Sequence, residues 1–336
     1  YGSTEKTLFN VVAADQINND NAQTASSAGS FDFAIVLWGW GADYGDPLTF
    51  MNTYRKGGDW ADIFPFVGFE TCDNYALNED MYVIINDHWD GGWWGMFGSA
   101  SEETRNAAME LYTSMWKQIA ERYAEYSDYL IFESANEELG NRLNDTDIAK
   151  DSGTLDKDQC YETLHKINQA FVDTVRGTGG NNAYRFLLIA GYNTDITMTC
   201  DERYKMPEDT AKDKLLLSVH YYTPWDYCGS DALNHWGSPD DYKEQNELME
   251  MLSKFNEQGY GVVIGEYAVL TDGAPKPDTD KFYSNFLDNC DYYDFCPVLW
   301  DCNSLYKRLT QTMADETLAG IFSDRRYENE KDKKRR

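Results

Sequence analysis

Leu130-Ile131-Phe132-Glu133-Ser134-Ala135-Asn136-Glu137 is an apolar run that ends abruptly in an amide and a carboxyl. Its first residues suit a buried, pleated surface, so the stretch reads as a strand that delivers Asn136 and Glu137 where it meets a loop. The design recurs downstream, where Gly261-Val262-Val263-Ile264-Gly265 is followed by Glu266-Tyr267. Buried strands that each present a glutamate at the C-terminal end are how an α/β barrel assembles a site from distant parts of its chain.

Outward from these two strands the pattern alternates. Strands are expected at 81–87, 129–134, 185–190, 214–219, 261–266 and 296–300, with helices at 102–125, 159–177, 240–257 and 279–289 between them. Apolar strands alternating with amphipathic helices argue for a parallel sheet, and the number of units suits a closed (β/α)8 TIM barrel better than an open sheet. The N-terminal portion is less regular. Residues 1 to about 30 are polar and small, read as loop or cap; 33–40 is the candidate first strand, and 60–78 looks helical. We expect one catalytic domain over 1–326, atypical over 1–59, and a solvated charged tail at 327–336, with a processing scar as the alternative for the tail.

The 336 residues, 42% hydrophobic, can bury the core of one such domain. A net charge of −29 repels phosphate backbones and anionic membrane surfaces, so neither nucleic acid nor a membrane is an expected partner. No apolar run reaches the roughly 18 residues of a membrane span. The start at Tyr1, with neither initiator methionine nor secretory apolar segment, is read as a mature or trimmed form. Seven cysteines form no C-x-x-C pair and no zinc spacing; a dense disulfide scaffold is excluded, and the odd count leaves one thiol unpaired within a monomer. Aromatic residues make up 15% of the chain, which supplies flat rings of the kind sugar faces stack on, although core packing accounts for many of them.

The strand ends gather polar and aromatic groups: His88-Trp89-Asp90 after the strand at 81–87, Asn136-Glu137, His220-Tyr221-Tyr222-Thr223-Pro224-Trp225, Glu266-Tyr267 and Trp300-Asp301. Taken singly, a strand-end glutamate is more often a salt bridge or cap, and a lone histidine more often structural. Their accumulation on one rim favours chemistry. Glycoside cleavage needs a proton donor and a carboxylate on opposite sides of an anomeric carbon, and Glu137 with Glu266 can supply both. Ionised Glu266 is expected to raise the pKa of Glu137 and keep it protonated. Glu133, inside its strand, is expected to face the barrel interior as a hydrogen-bonded structural group. Asp87-His88-Trp89-Asp90 is a weak metal candidate without a second histidine cluster, and Asp145 to Asp158 lacks the calcium-loop glycine. Neither a serine-hydrolase elbow nor a phosphate loop is present.

Five ordered motifs, Val83-Ile84-Ile85-Asn86-Asp87-His88, Leu130 to Glu137, Val219-His220-Tyr221-Tyr222-Thr223-Pro224, Ile264-Gly265-Glu266-Tyr267 and Leu299-Trp300-Asp301, together resemble glycoside hydrolase family 5 over roughly 60–322. The resemblance implies a retaining barrel enzyme, an endo-β-1,4-glucanase, with Glu137 as acid/base, Glu266 as nucleophile and Asn136 as partner of the sugar 2-hydroxyl. It implies His88 as a substrate-site histidine, His220 and Tyr222 around the nucleophile, and Trp300 as the platform at the cleavage point. Trp93, Trp94, Trp225 and Trp236 are candidates for further platforms on loop position. Cellulose-like or mixed-linkage glucan or xyloglucan is the implied substrate, with mannan or xylan as the alternative and a carbohydrate-binding barrel that has lost catalysis as the rival. No cofactor is implied; a monomer and an extracellular location are expected. Three departures stand out. The usual Asn-Glu-Pro reads Asn136-Glu137-Glu138, and Trp89 replaces the second histidine of a His-His pair. The arginine that should pair with the nucleophile has only Arg55 as a candidate, followed by Lys56-Gly57-Gly58 where an apolar strand should run.

Overall fold

The computed structural model describes the backbone at 8–13 and 31–38, and then residues 81–88, 93–270, 275–301, 305–307, 310 and 312–333, with side chains from 81 to 325. Eight parallel strands succeed one another in chain order around one sheet. They are β1 (Leu8–Ala13), β2 (Phe31–Trp38), β3 (Tyr82–Asp87), β4 (Leu130–Glu133), β5 (Leu187–Ala190), β6 (Leu215–Tyr221), β7 (Gly261–Tyr267) and β8 (Cys296–Leu299). β1 lies against β8, so the sheet curls back on itself. The described long helices are α1 (Glu102–Arg122), α2 (Lys157–Gly177), α3 (Pro239–Glu257), α4 (Thr279–Tyr293) and α5 (Glu316–Lys333), and a small antiparallel pair, β9 (Tyr306–Lys307) with β10 (Thr312–Met313), precedes α5.

This is the expected (β/α)8 barrel, with two differences. The first strand is Leu8–Ala13, inside the stretch read as loop, and 33–40 contributes to the second strand, β2. Six residues interrupted by Asn10 advertise little by themselves; it is the pairing with β2 from Leu8↔Phe31 to Ala13↔Leu37 that makes them a strand. The last described helix continues through Lys333, in keeping with its Glu, Lys and Arg residues being good helix formers. The helix expected at 60–78 lies outside the described residues.

The helices begin where capping chemistry allows. Ser101 Oγ accepts from Thr104 N–H at 3.3 Å ahead of α1, and capping boxes, Asp156 with Gln159 and Ser238 with Asp241, open α2 and α3. α1 buries Ala107, Ala108, Leu111, Tyr112, Met115, Trp116, Ile119 and Ala120, one stripe at helical spacing. Against it lie strands buried on both faces: Val83, Ile84, Leu130, Phe132, Leu187 and Leu188 are sealed from solvent. Cys160 and Cys228 are buried free thiols within this packing, and Cys290 is buried there as well.

Candidate active site

β4 ends in a clamp. The Ser134 carbonyl accepts from Tyr112 Oη of α1 at 2.7 Å, and its hydroxyl donates to Asn168 Oδ1 of α2 at 2.8 Å while accepting from Ala190 N–H of β5 at 3.0 Å. Two helices and a strand therefore fix the backbone two residues before Asn136. Beyond it, the Glu138 carboxylate turns back to accept from Asn136 N–H at 2.9 Å. A hydrogen bond thus restrains the loop where the family usually has a proline. The next loop interlocks with this one: Asn193 N–H donates to Leu139 O at 2.6 Å, and Asn193 Oδ1 accepts from Asn141 N–H at 2.9 Å. Gly140 sits between them at φ +146°, and a Cβ there would lie 2.2 Å from Asn193 Oδ1, so only glycine fits.

β7 is placed by a bulge. Val219 pairs with Ile264, and then His220 pairs with Glu266; on the other side Ile264 pairs with Pro297, and then Tyr267 with Leu299. β7 therefore holds one residue more than either neighbour, a device that re-aims side chains beside active sites. Gly265 belongs there for lack of room: a Cβ would be 3.2 Å from Ser218 Oγ and 3.4 Å from His220 Nε2.

The outcome is a compact cluster. His220 Nδ1 lies 2.9 Å from Glu137 Oε1 and 3.4 Å from Glu266 Oε2, which also accepts from Tyr222 Oη at 2.9 Å. One oxygen of each carboxyl and the imidazole nitrogen all fall within 4.8 Å of one another. Asn136 is buried beside Glu137, and neither its side-chain nitrogen nor its oxygen has a hydrogen-bond partner among the described residues. His88 is buried with its ring stacked toward Trp300, centroids 5.8 Å apart at 12°, and the Trp300 side chain stays half-buried. Trp225 is 58% exposed and meets Tyr222 edge-on.

Burial opposes the charge on His220, but Glu266 and the hydrogen-bonded Glu137 outweigh it and push the imidazole up to about 9. Burial, reinforced by Glu137 against the pull of His220, pushes Glu266 up to about 7. Burial also acts on Glu137, yet the hydrogen bond and charge of His220 more than offset it and hold that carboxyl below its usual range. His88 is pushed down to about 3 by burial and by His220, and is neutral. The resting order of the two glutamates is therefore the reverse of the one expected from sequence. The reason is geometric: His220 is nearer to Glu137, and the Glu266 side chain is 9% exposed against 33% for Glu137. Near neutrality the pair titrates as a unit around one proton.

Four residues singled out in the sequence thus meet, Glu137, Glu266, His220 and Tyr222, with Asn136, His88, Trp300 and Trp225 on the same rim. Trp93, Trp94 and Trp236 are corrections. All three are at most 3% exposed; Trp93 and Trp94 stack on each other at 4.4 Å, and Trp236 packs on Tyr242 and Phe282, so none offers a free ring face to a sugar. Arg55 and Trp89 lie outside the described residues. Among the described residues, no arginine or lysine ion-pairs with Glu266. The grouping of Glu137, His220 and Glu266 is also the one among the described residues close enough to hold a metal; Asp87 and His88 do not complete such a set. The back-bonding Glu138 and the Gly265 bulge went unread in the sequence, although a glycine inside an apolar strand is the recognised sign of a bulge.

The family model for cellulase (glycosyl hydrolase family 5) matches residues 65–305. Endoglucanase A of Paenibacillus barcinonensis is 30% identical over 317 residues, covering 81% of this chain and 74% of that one. The xyloglucan-specific endo-beta-1,4-glucanase of Bacteroides ovatus is 30% identical over 281 residues, covering 77% of this chain and 53% of its own length. A broad-specificity endoglucanase of GH5 subfamily 4 from an uncultured bovine rumen ciliate superposes with a TM-score of 0.70 at 29% identity, covering 93% of this chain and 86% of that one. With a barrel of this topology, two glutamates at the ends of β4 and β7 and a family model spanning most of the sequence, the chain belongs to glycoside hydrolase family 5.

Proposed function

We propose that the protein is a retaining, endo-acting glycoside hydrolase that cleaves β-1,4-glucan by double displacement. The spacing of the two carboxyls carries this reading: one oxygen of each lies within 4.8 Å of the other, which suits the roughly 5–5.5 Å of retaining enzymes better than the about 6.5–9.5 Å of inverting pairs. Glu266 is the nucleophile and Glu137 the acid/base. The bound glycosidic oxygen offers Glu137 an acceptor, drawing the pair's proton onto Glu137 and leaving Glu266 ionised, with Tyr222 still donating to it. Glu266 then attacks the anomeric carbon as Glu137 protonates the departing oxygen. In the second step Glu137 takes a proton from water, which displaces the Glu266 ester.

The Asn136 amide, without a partner among the described residues, supplies a hydrogen bond to the sugar 2-hydroxyl, and Trp300 supplies a ring beneath the sugar at the cleavage point. Cellulose-like glucan, mixed-linkage glucan and xyloglucan are the substrates this reading favours, in keeping with the activities named for the relatives. An extracellular site of action belongs to the same proposal, since polymers of this kind are met outside cells. The deciding experiment follows reducing ends released from soluble β-glucans, and the anomer first formed by NMR, for the parent and Glu266→Gln. Initial β-anomer from the parent and none from the variant is expected. Initial α-anomer would overturn retention, and glucan binding without release would establish a barrel that only binds.

A further inference from the structure

Glu133 is a buried carboxyl that the cleavage steps do not use. It closes β4 at 2% exposure, and its two oxygens are held from different sides of the barrel: Asn86 Nδ2 of β3 donates at 2.9 Å and Ser218 Oγ of β6 at 2.5 Å. Ser218 and His220 lie on the same strand, and the Ser218 hydroxyl and the His220 Nε2 edge flank one small space beside Gly265. Glu133 is therefore tied through one hydroxyl to the wall against which the imidazole rests. Burial pushes the Glu133 carboxyl up, while the Ser218 hydrogen bond, the His220 charge and the Asn86 hydrogen bond pull it back and favour the ionised acid.

We infer that Glu133 is a positioning residue for the cleavage reaction, an anion in the floor of the site that holds the His220 imidazolium between Glu137 and Glu266. Its catalytic consequence rests on the retaining-hydrolase reading; its electrostatic consequence does not. The charged or titratable groups facing His220 among the described residues are Glu137 from the loop after β4, Glu266 from β7, Glu133 from β4, neutral His88 from the end of β3 and Tyr222 just after β6. Glu137 and Glu266 share a proton near neutrality and protonate or esterify in turn during the reaction. Glu133 is the one carboxylate of the three whose charge is not consumed, so it stays beside the imidazole while the charge passes between the other two. In a structural bridge, by contrast, Glu133 is a neutral acid that only ties β3 to β6.

Glu133→Gln separates the two, because it keeps the shape and removes the charge. The chain has four histidines, so the His220 imidazole signal can be followed by NMR in histidine-labelled protein and assigned by its loss in His220→Asn. We expect the His220 titration midpoint to fall by about one pH unit, a tenfold loss of proton affinity. The alkaline limb of kcat/KM on a soluble β-glucan should move to lower pH in parallel. Ser218→Ala, which removes one donor that favours ionised Glu133, should shift both in the same direction by less, and it carries the test if Glu133→Gln does not fold. Unmoved midpoints in both variants, with only a lower melting temperature, would overturn the inference. If the parent releases no sugar from glucan, the hydrolase reading fails while the NMR titration still decides the role of Glu133.

Discussion

The two ends of β4 solve opposite problems with similar parts. At its start, Arg185 is fully buried, and all five of its N–H donors are used, on Asn182 Oδ1 and on the carbonyls of Ser127, Leu130, Tyr123 and Tyr126, at 2.6 to 2.9 Å. Its guanidinium also lies over the Phe132 ring, 4.9 Å from the centroid. Burial pulls its pKa down to about 10, yet it stays charged, neutralised by carbonyl dipoles. At the other end, Asn136 is buried with its amide unmatched among the described residues, and two glutamates crowd one histidine. The lower end is saturated and the upper end is left short of partners. The barrel spends its hydrogen bonds on the face that does no chemistry and withholds them where a substrate is to supply them.

Changes at each end should therefore separate activity from stability. The largest effect is expected for Glu266→Gln, which should reduce turnover of β-glucan by about ten-thousand-fold or more while leaving the melting temperature unchanged or raised, since a buried acid is neutralised. A comparable loss of stability in that variant would make the upper end structural after all. Arg185→Met should do the reverse. It removes five hydrogen bonds that tie the start of β4 to its surroundings and should cost about 3–5 kcal/mol in denaturant unfolding, with turnover per folded molecule preserved. A small change in the unfolding midpoint would show that the saturated end is dispensable.

Asn136→Ala should lower kcat/KM about a hundredfold through the lost 2-hydroxyl contact, with no loss of stability, because its side-chain amide bonds to none of the described residues. A clear drop in stability would mean that the amide is satisfied in solution. The smallest effect is the pH dependence of stability. Glu266 and His220 both hold a proton more tightly folded than unfolded, so the stability they contribute is present at low pH and lost as pH rises. For Glu266 the loss runs from about 4.5 to 7, and for His220 from about 6.5 to 9. Melting temperature should fall by a few degrees between about pH 5 and 9, and by less in Glu266→Gln. An equal fall in both proteins would remove Glu266 from the account.

The sequence made the strands and their terminal residues legible because apolar runs ending in polar groups are local facts. β4 and β7 could be read with their glutamates attached, and so could the rim positions of His220, Tyr222 and Trp300. What stayed hidden depends on residues distant in the chain. β1 is a strand only through its pairing with β2, and the burial of Trp93 and Trp94 follows from packing against Phe97 and Tyr112 rather than from their loop position. The opposite shifts of Glu137 and Glu266 follow from unequal burial and from their contacts with one histidine, which no spacing along the chain encodes.

The extra residue in β7 has a consequence for how such a site can change over generations. A point substitution at Glu266 removes a functional group and can be reverted by another. An in-frame loss of Gly265 would restore a regular ladder with β6 and β8 and remove the local bend that the extra residue gives β7 just before Glu266. The glutamate would still stand opposite His220, but the strand would aim it differently. Strand length is thus inherited information here, and lineages carrying this barrel should tolerate insertions and deletions in the connecting loops far more readily than a single-codon deletion between Ile264 and Tyr267.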